Sequence, residues 1–140
     1  MTDSGGLKAA FFDIGGTLGE VDVANLVLHP FVSSAQLLAT FHDTLRLRVG
    51  VITNVPSGVN GAMIRNMLQH AQLLQFLDEE AIVTSADAGV SKPKAGIYLF
   101  AAQRAAVSPA DCLYVGDEPE QVVGARAAGM VGLLKMPPVP

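Results

Sequence analysis

One cysteine, Cys112, stands in the whole chain, and there is no tryptophan. A single thiol excludes an intramolecular disulfide framework and a CxxC metal knuckle. Cys112 opens a short apolar run, so it reads as an inert buried thiol. Charge is also sparse. Asp, Glu, Lys and Arg make up 16% of the residues, against roughly 25% in an ordinary domain. The 9 basic and 13 acidic residues leave a net charge of −4. Such a chain has no general electrostatic pull toward nucleic acid or an anionic membrane. A long uninterrupted apolar run is missing as well. The longest stretch without a charged residue, Val23–His42, is broken by Asn25, His29, Pro30, Ser33, Ser34 and Gln36, which excludes a membrane-spanning helix there. The first residues carry no hydrophobic signal-peptide segment, so the expected location is cytoplasmic.

Half of the 140 residues are hydrophobic, which is ample for a packed core and places intrinsic disorder out of reach. The length predicts one domain over residues 1–140, with a loose tail at 136–140. Five short apolar runs read as strands buried on both faces: Leu7–Phe12, Val49–Thr53, Ala81–Val83, Cys112–Val115 and Val131–Leu134. Helical spacing is expected over Phe31–Leu47, over Gly58–Leu77 with Ser57 as its cap, over Lys94–Ala106, and over Pro119–Ala128 with Gly129 as its stop. Strands alternating with helices predict a doubly wound α/β domain, with about five parallel strands and a helical layer on each side. Met63 and Met67, at helical spacing, read as core. Asp78-Glu79-Glu80 reads as a solvated loop, and His29, His42 and His70 as structural or surface histidines.

In such a sheet ligands bind beyond the carboxyl ends of the strands, so the residues just after each strand are the ones to inspect. Asp13 follows the first run and precedes Gly15 and Gly16. A carboxylate there can attack phosphorus, with the glycines letting main-chain N–H groups approach phosphate oxygens, or it can simply cap a tight turn. Thr53-Asn54 suits a phosphate oxygen or an ordinary helix cap. The chain has four lysines, two of which, Lys92 and Lys94, flank Pro93 ahead of a helix. Lys92 either neutralises a phosphate and an attacking carboxylate or is solvated. Asp117 is either a hard ligand for Mg²⁺ or the cap of the helix that begins near Pro119.

Taken together, FFDIGGTL, VITN, GVSKPKAGIYLFA and LYVGDEPEQVVGARAAGM resemble, in order and spacing, the four motifs of the haloacid dehalogenase superfamily. The resemblance covers about Lys8–Leu134. It implies a Rossmann-like core and, most often, a magnesium-dependent phosphatase acting through an aspartyl-phosphate. By that resemblance Asp13 is the nucleophile and Lys92 bridges it to the phosphate. Gly15, Gly16, Thr53 and Asn54 form the phosphate-binding set. Asp13, the Gly15 carbonyl and Asp117 hold Mg²⁺, with Glu118 a further candidate. The partners it implies are a phosphorylated small molecule or macromolecule, and no nucleic acid or membrane.

The chain departs from the family pattern in three places. Phosphatases of the family read Asp-x-Asp in the first motif, where the second Asp is the general acid; here that position is Gly15. General acid–base catalysis contributes roughly 10²–10⁴-fold, so acyl and aryl phosphates should suit this chain better than alkyl phosphates. The fourth motif lacks its second acid, for which Glu118 or Glu120 is a candidate substitute. About 40 positions separate Asp13 from Thr53, too few for a cap domain. The segment Gly19–Leu28 is then expected to form a short flap, with Glu20 or Asp22 as candidates to reach the reacting group. An open site implies a macromolecular substrate, or a homo-oligomer or partner protein that covers it. The alternative implied by the same departures is a weakened or inactive relative that binds a phosphorylated ligand or a protein.

Overall fold

The computed structural model describes residues 6–136; the expected loose tail beyond Met136 lies outside the described residues. Five parallel strands form the central sheet: β1 (Ala9–Phe12), β4 (Arg48–Thr53), β5 (Ile82–Thr84), β6 (Cys112–Gly116) and β7 (Val131–Leu134). Their order is β5-β4-β1-β6-β7, so β1 lies at the centre, paired with β4 on one side and β6 on the other. The chain order reverses at β1, and the Asp13 loop therefore opens at the switch point of the sheet.

The strand sequences are continuously apolar because both faces are covered. Alternate residues of β1 enter different cores. Ala10 and Phe12 join Val49, Val51, Leu113 and Val115 against α1 (Ser34–Ala39) and α2 (Gly61–His70). Ala9 and Phe11 join Ile52, Cys112 and Tyr114 against α4 (Ala95–Arg104) and α5 (Pro119–Ala127). Each large apolar side chain so buried stabilises the fold by roughly 1.5–3 kcal/mol. Aromatic edges fasten both cores: Phe12 meets Phe41, and Tyr98 meets Tyr114, each at 5.5 Å between ring centroids.

The helices are shorter than the periodicity predicts. The Phe31–Leu47 segment is helical over Ser34–Ala39 and continues as a π-turn over Thr40–Thr44. In the Gly58–Leu77 segment, α2 starts at Gly61, capped by the Asn60 side chain on the Met63 N–H rather than by Ser57. Gly58, at φ 89°, turns the chain before the helix can begin. Met67 is core, but Met63 is 40% exposed. Asp78 is not free in solvent: its carboxylate accepts the Val49 N–H at 2.9 Å and its own N–H donates to the Val49 carbonyl at 2.8 Å. Glu79 faces Arg65 at 3.3 Å. The short α3 (Ser85–Ala88), held by a capping box between Thr84 and Asp87, carries too little periodicity to be legible beforehand.

Between β1 and α1 the chain forms an antiparallel hairpin, β2 (Gly19–Asp22) and β3 (Val27–Pro30). This hairpin is the expected flap. With α1 and its π-turn it accounts for the insertion between β1 and β4, so among the described residues the site has no cap domain over it. No helix of the described residues is long and apolar enough to cross a membrane.

Candidate active site

The carboxyl ends of β1, β4 and β6 enclose a pocket of about 310 Å³, lined on its polar side by Asp13, Thr53, Asn54, Lys92, Glu118 and Gln121. Asp13 leaves β1 as the sheet ends, anchored by its N–H on the Val115 carbonyl. One carboxylate oxygen, Oδ1, accepts both the Ile14 N–H at 2.8 Å and the Lys92 ammonium at 2.9 Å. The other, Oδ2, takes no hydrogen bond from the described residues and is not sealed from solvent. The side chain keeps 10% of its surface, whereas Lys92 keeps 1%. An anchored carboxylate with one free oxygen is the geometry a nucleophile needs.

Burial holds the Asp13 carboxyl above its ordinary range, and neighbouring Asp117 pushes the same way; Lys92 and the Ile14 N–H oppose both. Burial pulls the Lys92 ammonium down, with Asp13 opposing. Each partner thus favours the charged form of the other against the cost of burial.

Lys92 is held from three sides. The Asn54 side chain clamps its backbone, accepting the Lys92 N–H at 2.9 Å and donating to the Lys92 carbonyl at 3.2 Å. Asn54 therefore lies in the pocket as expected, but its amide positions the lysine. The Lys92 ammonium also donates to the Tyr114 hydroxyl at 3.0 Å, and that hydroxyl points on to Gln121 Oε1 at 3.4 Å. Tyr98 donates to the Gln121 main-chain carbonyl at 2.7 Å. Burial, then the Asp13 charge, push the Tyr114 phenol well above its usual range, so it stays a neutral relay of hydrogen bonds. Sequence reasoning missed Tyr98, Tyr114 and Gln121. The available signal was a tyrosine inside a fully buried strand, whose hydroxyl must find a partner. Gly124 lets α5 approach the Pro93 backbone, where any Cβ would collide.

Thr53 is 8% exposed, and its hydroxyl makes a single long contact, 3.5 Å, to the Asn54 carbonyl. It is free to turn toward a ligand. Gly16 has φ 81°, and a Cβ on it would run into the Asp117 carboxylate. The glycine thus allows Asp117 to lie over the Asp13 loop, where the Thr17 hydroxyl donates to it at 3.3 Å. Asp13 and Asp117 bring two carboxylates to one place with one lysine as counter-charge. A hard divalent cation fits that donor set, since Mg²⁺ typically takes one or two carboxylates with waters completing its shell. Glu118 lies at the rim, exposed, and Glu120 is exposed outside the pocket.

The flap acids stay away from the reacting centre. Asp22 accepts both the Asn25 N–H and the Asn25 side-chain amide, at 3.2 and 2.8 Å, and these bonds hold its carboxyl below its usual range. Glu20 is exposed. The hairpin offers the pocket Val21, Val23 and Leu26 instead. Gly15 carries no positive φ, and a Cβ there would sit 3.7 Å from Val21 Cγ2, an ordinary contact.

Cys112 is fully buried on the far side of the sheet, and burial, helped by Asp111, pushes its thiol up to about 11. At pH 8 the folded chain should therefore not react with an aromatic disulfide reagent, and one thiol should appear on unfolding. Labelling of the folded chain on mixing would contradict this placement.

A family model for haloacid dehalogenase-like hydrolases matches residues 19–129. A phosphatase of Mycobacterium tuberculosis is 37% identical over 84 residues, covering 60% of this chain and 36% of the relative. A phosphoglycolate phosphatase of Xylella fastidiosa is 32% identical over 88 residues, covering 62% and 35%. The chain thus spans about a third of the length of these curated relatives. Among solved structures, an uncharacterized protein from Corynebacterium glutamicum superposes with a TM-score of 0.70 at 24% identity, over 94% of this chain and 86% of that one. The L-2-haloacid dehalogenase of Xanthobacter autotrophicus superposes at 0.72 with 18% identity, over 89% and 75%. These two likenesses are of fold. With its model matched over most of the chain, and with a β1 carboxylate, a β4 threonine, a buried lysine and a β6 aspartate meeting at one sheet edge, the chain belongs to the haloacid dehalogenase-like hydrolases.

Proposed function

We propose that this hydrolase is a phosphatase that works through an aspartyl-phosphate on Asp13. The observation that carries the reading is the asymmetry of that carboxylate: Oδ1 is tied to Lys92 and the Ile14 N–H, and Oδ2 is left free in the pocket. Oδ2 attacks phosphorus and the bond from phosphorus to the leaving oxygen breaks. Water supplies the proton to that oxygen, since Gly15 has no side chain to do so. A second water then cleaves the acyl phosphate, releasing inorganic phosphate and restoring Asp13. Thr53 and the N–H groups of the Asp13 loop orient the phosphoryl oxygens. Mg²⁺ would be held by Asp13, Asp117 and the Gly15 carbonyl, and when bound it offsets the charge of the phosphoryl group. Lys92 keeps Asp13 ionised in a buried setting.

The test is hydrolysis of para-nitrophenyl phosphate and acetyl phosphate, with and without Mg²⁺, beside Asp13→Asn. The expected result is Mg²⁺-dependent turnover that Asp13→Asn lowers by on the order of 10³-fold or more. Acetyl phosphate should turn over faster than the aryl ester, because its leaving group needs no acid. A folded chain that binds Mg²⁺ and beryllofluoride but hydrolyses neither compound would move the assignment to phosphate-ligand binding.

A further inference from the structure

One wall of the pocket is apolar. The flap contributes Val21, Val23 and Leu26, and α2 contributes Ile64 and Met67. Among the described residues the pocket has one cationic side chain, Lys92, and that ammonium is already shared between Asp13 and Tyr114. The titratable group at the rim is Glu118, which repels a second anion. A carboxylate on the leaving group of a substrate would face this wall without a cationic partner, at some cost in lost hydration. An aromatic or alkyl group would bury apolar surface there at about 25 cal/mol per Å². The groove between the hairpin and α2 shares Leu26 and Met67 with the pocket, so the apolar wall continues beyond the site.

Resting on the phosphatase reading for the chemistry, we infer that the substrates of this site are phosphate monoesters of uncharged aromatic alcohols, selected by Val21, Val23, Leu26, Ile64 and Met67. Two independent features converge on that class. The wall offers a charged leaving group no partner, and the missing acid at Gly15 favours one that departs as a stable phenolate. In the first step the electron pair of the breaking P–O bond leaves with the phenolate oxygen, which then takes a proton from water. The class differs from phosphoglycolate, the substrate named for the Xylella relative, whose leaving group carries a carboxylate.

The test uses a matched pair: para-(carboxymethyl)phenyl phosphate and its methyl ester, whose methylene insulates the ring so that the two phenols are of nearly equal acidity and the pair differs chiefly in charge. Turnover is read with Mg²⁺ present. Binding is read separately by calorimetry with the corresponding non-hydrolysable benzylphosphonates. The expected result is kcat/KM at least about tenfold higher for the ester than for the carboxylate, with the same order in binding. Val23→Lys, at an exposed position of the pocket wall, places a cation beside the leaving group and should shrink that preference severalfold. Equal or better use of the carboxylate by the unaltered chain would overturn the inference while leaving the hydrolase intact. Preferential binding of the ester phosphonate without turnover would uphold the pocket assignment and sink the phosphatase reading instead. Binding of neither phosphonate would overturn the assignment.

Discussion

Lys92→Met should unfold the chain roughly 10–20 °C earlier at pH 7 and lower kcat by about 10²-fold or more. The stability arm follows from burial. Asp13 and Lys92 form an ion pair at 2.9 Å with side chains 10% and 1% exposed. Removing one member of a buried pair typically costs about 3–5 kcal/mol, because the other is left as an uncompensated charge. For a chain of this size that range corresponds to the stated loss in melting temperature. The sign of its pH dependence is fixed by which group remains. Without Lys92 only the Ile14 N–H opposes the burial and the neighbouring Asp117 that already hold the Asp13 carboxyl high. A carboxyl raised in the folded state contributes stability that is fully present below its unfolded value and is lost as pH rises through its folded value. The gap between the variant and the unaltered chain should therefore be small near pH 4 and widen toward pH 7. Thermal unfolding across that range checks it; a gap that is constant with pH would mean the loss is packing around the lysine stem and not charge. The activity arm has a different origin. The methionine cannot hold Oδ1, so the carboxylate keeps only the Ile14 N–H and Oδ2 loses part of its fixed aim. Asn54→Ala, which frees the Lys92 backbone but keeps the ammonium, should cost less in both respects.

Gly15→Asp should raise turnover of alkyl phosphates by about 10²–10⁴-fold, the range general acid–base catalysis supplies. The backbone permits the change: Gly15 has no positive φ, and its Cβ would meet only Val21 at 3.7 Å. A carboxyl so placed stands at the mouth of the pocket, two residues beyond the nucleophile, where it can protonate a leaving oxygen and later take a proton from water. The gain should depend on the leaving group. Acetyl phosphate, whose leaving group departs unaided, should gain little. A slope of log kcat against leaving-group acidity that is steep in the unaltered chain and shallow in Gly15→Asp would establish the role. Equal slopes would mean that the first step is limited elsewhere, for instance by release of phosphate. Stability should change little, because position 15 is exposed.

The identity of the buried strands was legible because a strand covered on both faces must be apolar throughout, and such runs are short and visible. All five central strands fall within one or two residues of the expected spans, as with Ile82–Thr84 against Ala81–Val83. Helix ends were less legible. They depend on local side-chain bonds, such as that of Asn60 to the Met63 N–H, which compete with an equally plausible Ser57 three positions earlier. The hairpin Gly19–Asp22/Val27–Pro30 was expected as a flap but not as paired strands. Its sequence shows no clean alternation, since Leu28 is its one buried large side chain.

The residues after the strand ends were determined by the sequence itself. A carboxylate, a threonine, a lysine and a second carboxylate in that order can meet only where a parallel sheet ends, and the topology of such sheets brings those ends together. What only the tertiary structure decided is how the groups divide their work. Asn54 turns its amide to the Lys92 backbone, since that backbone must be held if its ammonium is to reach Asp13. Tyr114, one more apolar letter in a strand, becomes the second partner of that ammonium because its ring is buried on the same face. The acids of the flap stay with solvent and with Asn25, and Val21, Val23 and Leu26 line the pocket. These are choices of side-chain direction made by packing across elements far apart in the chain. No local pattern encodes them, because each depends on a neighbour that only folding supplies.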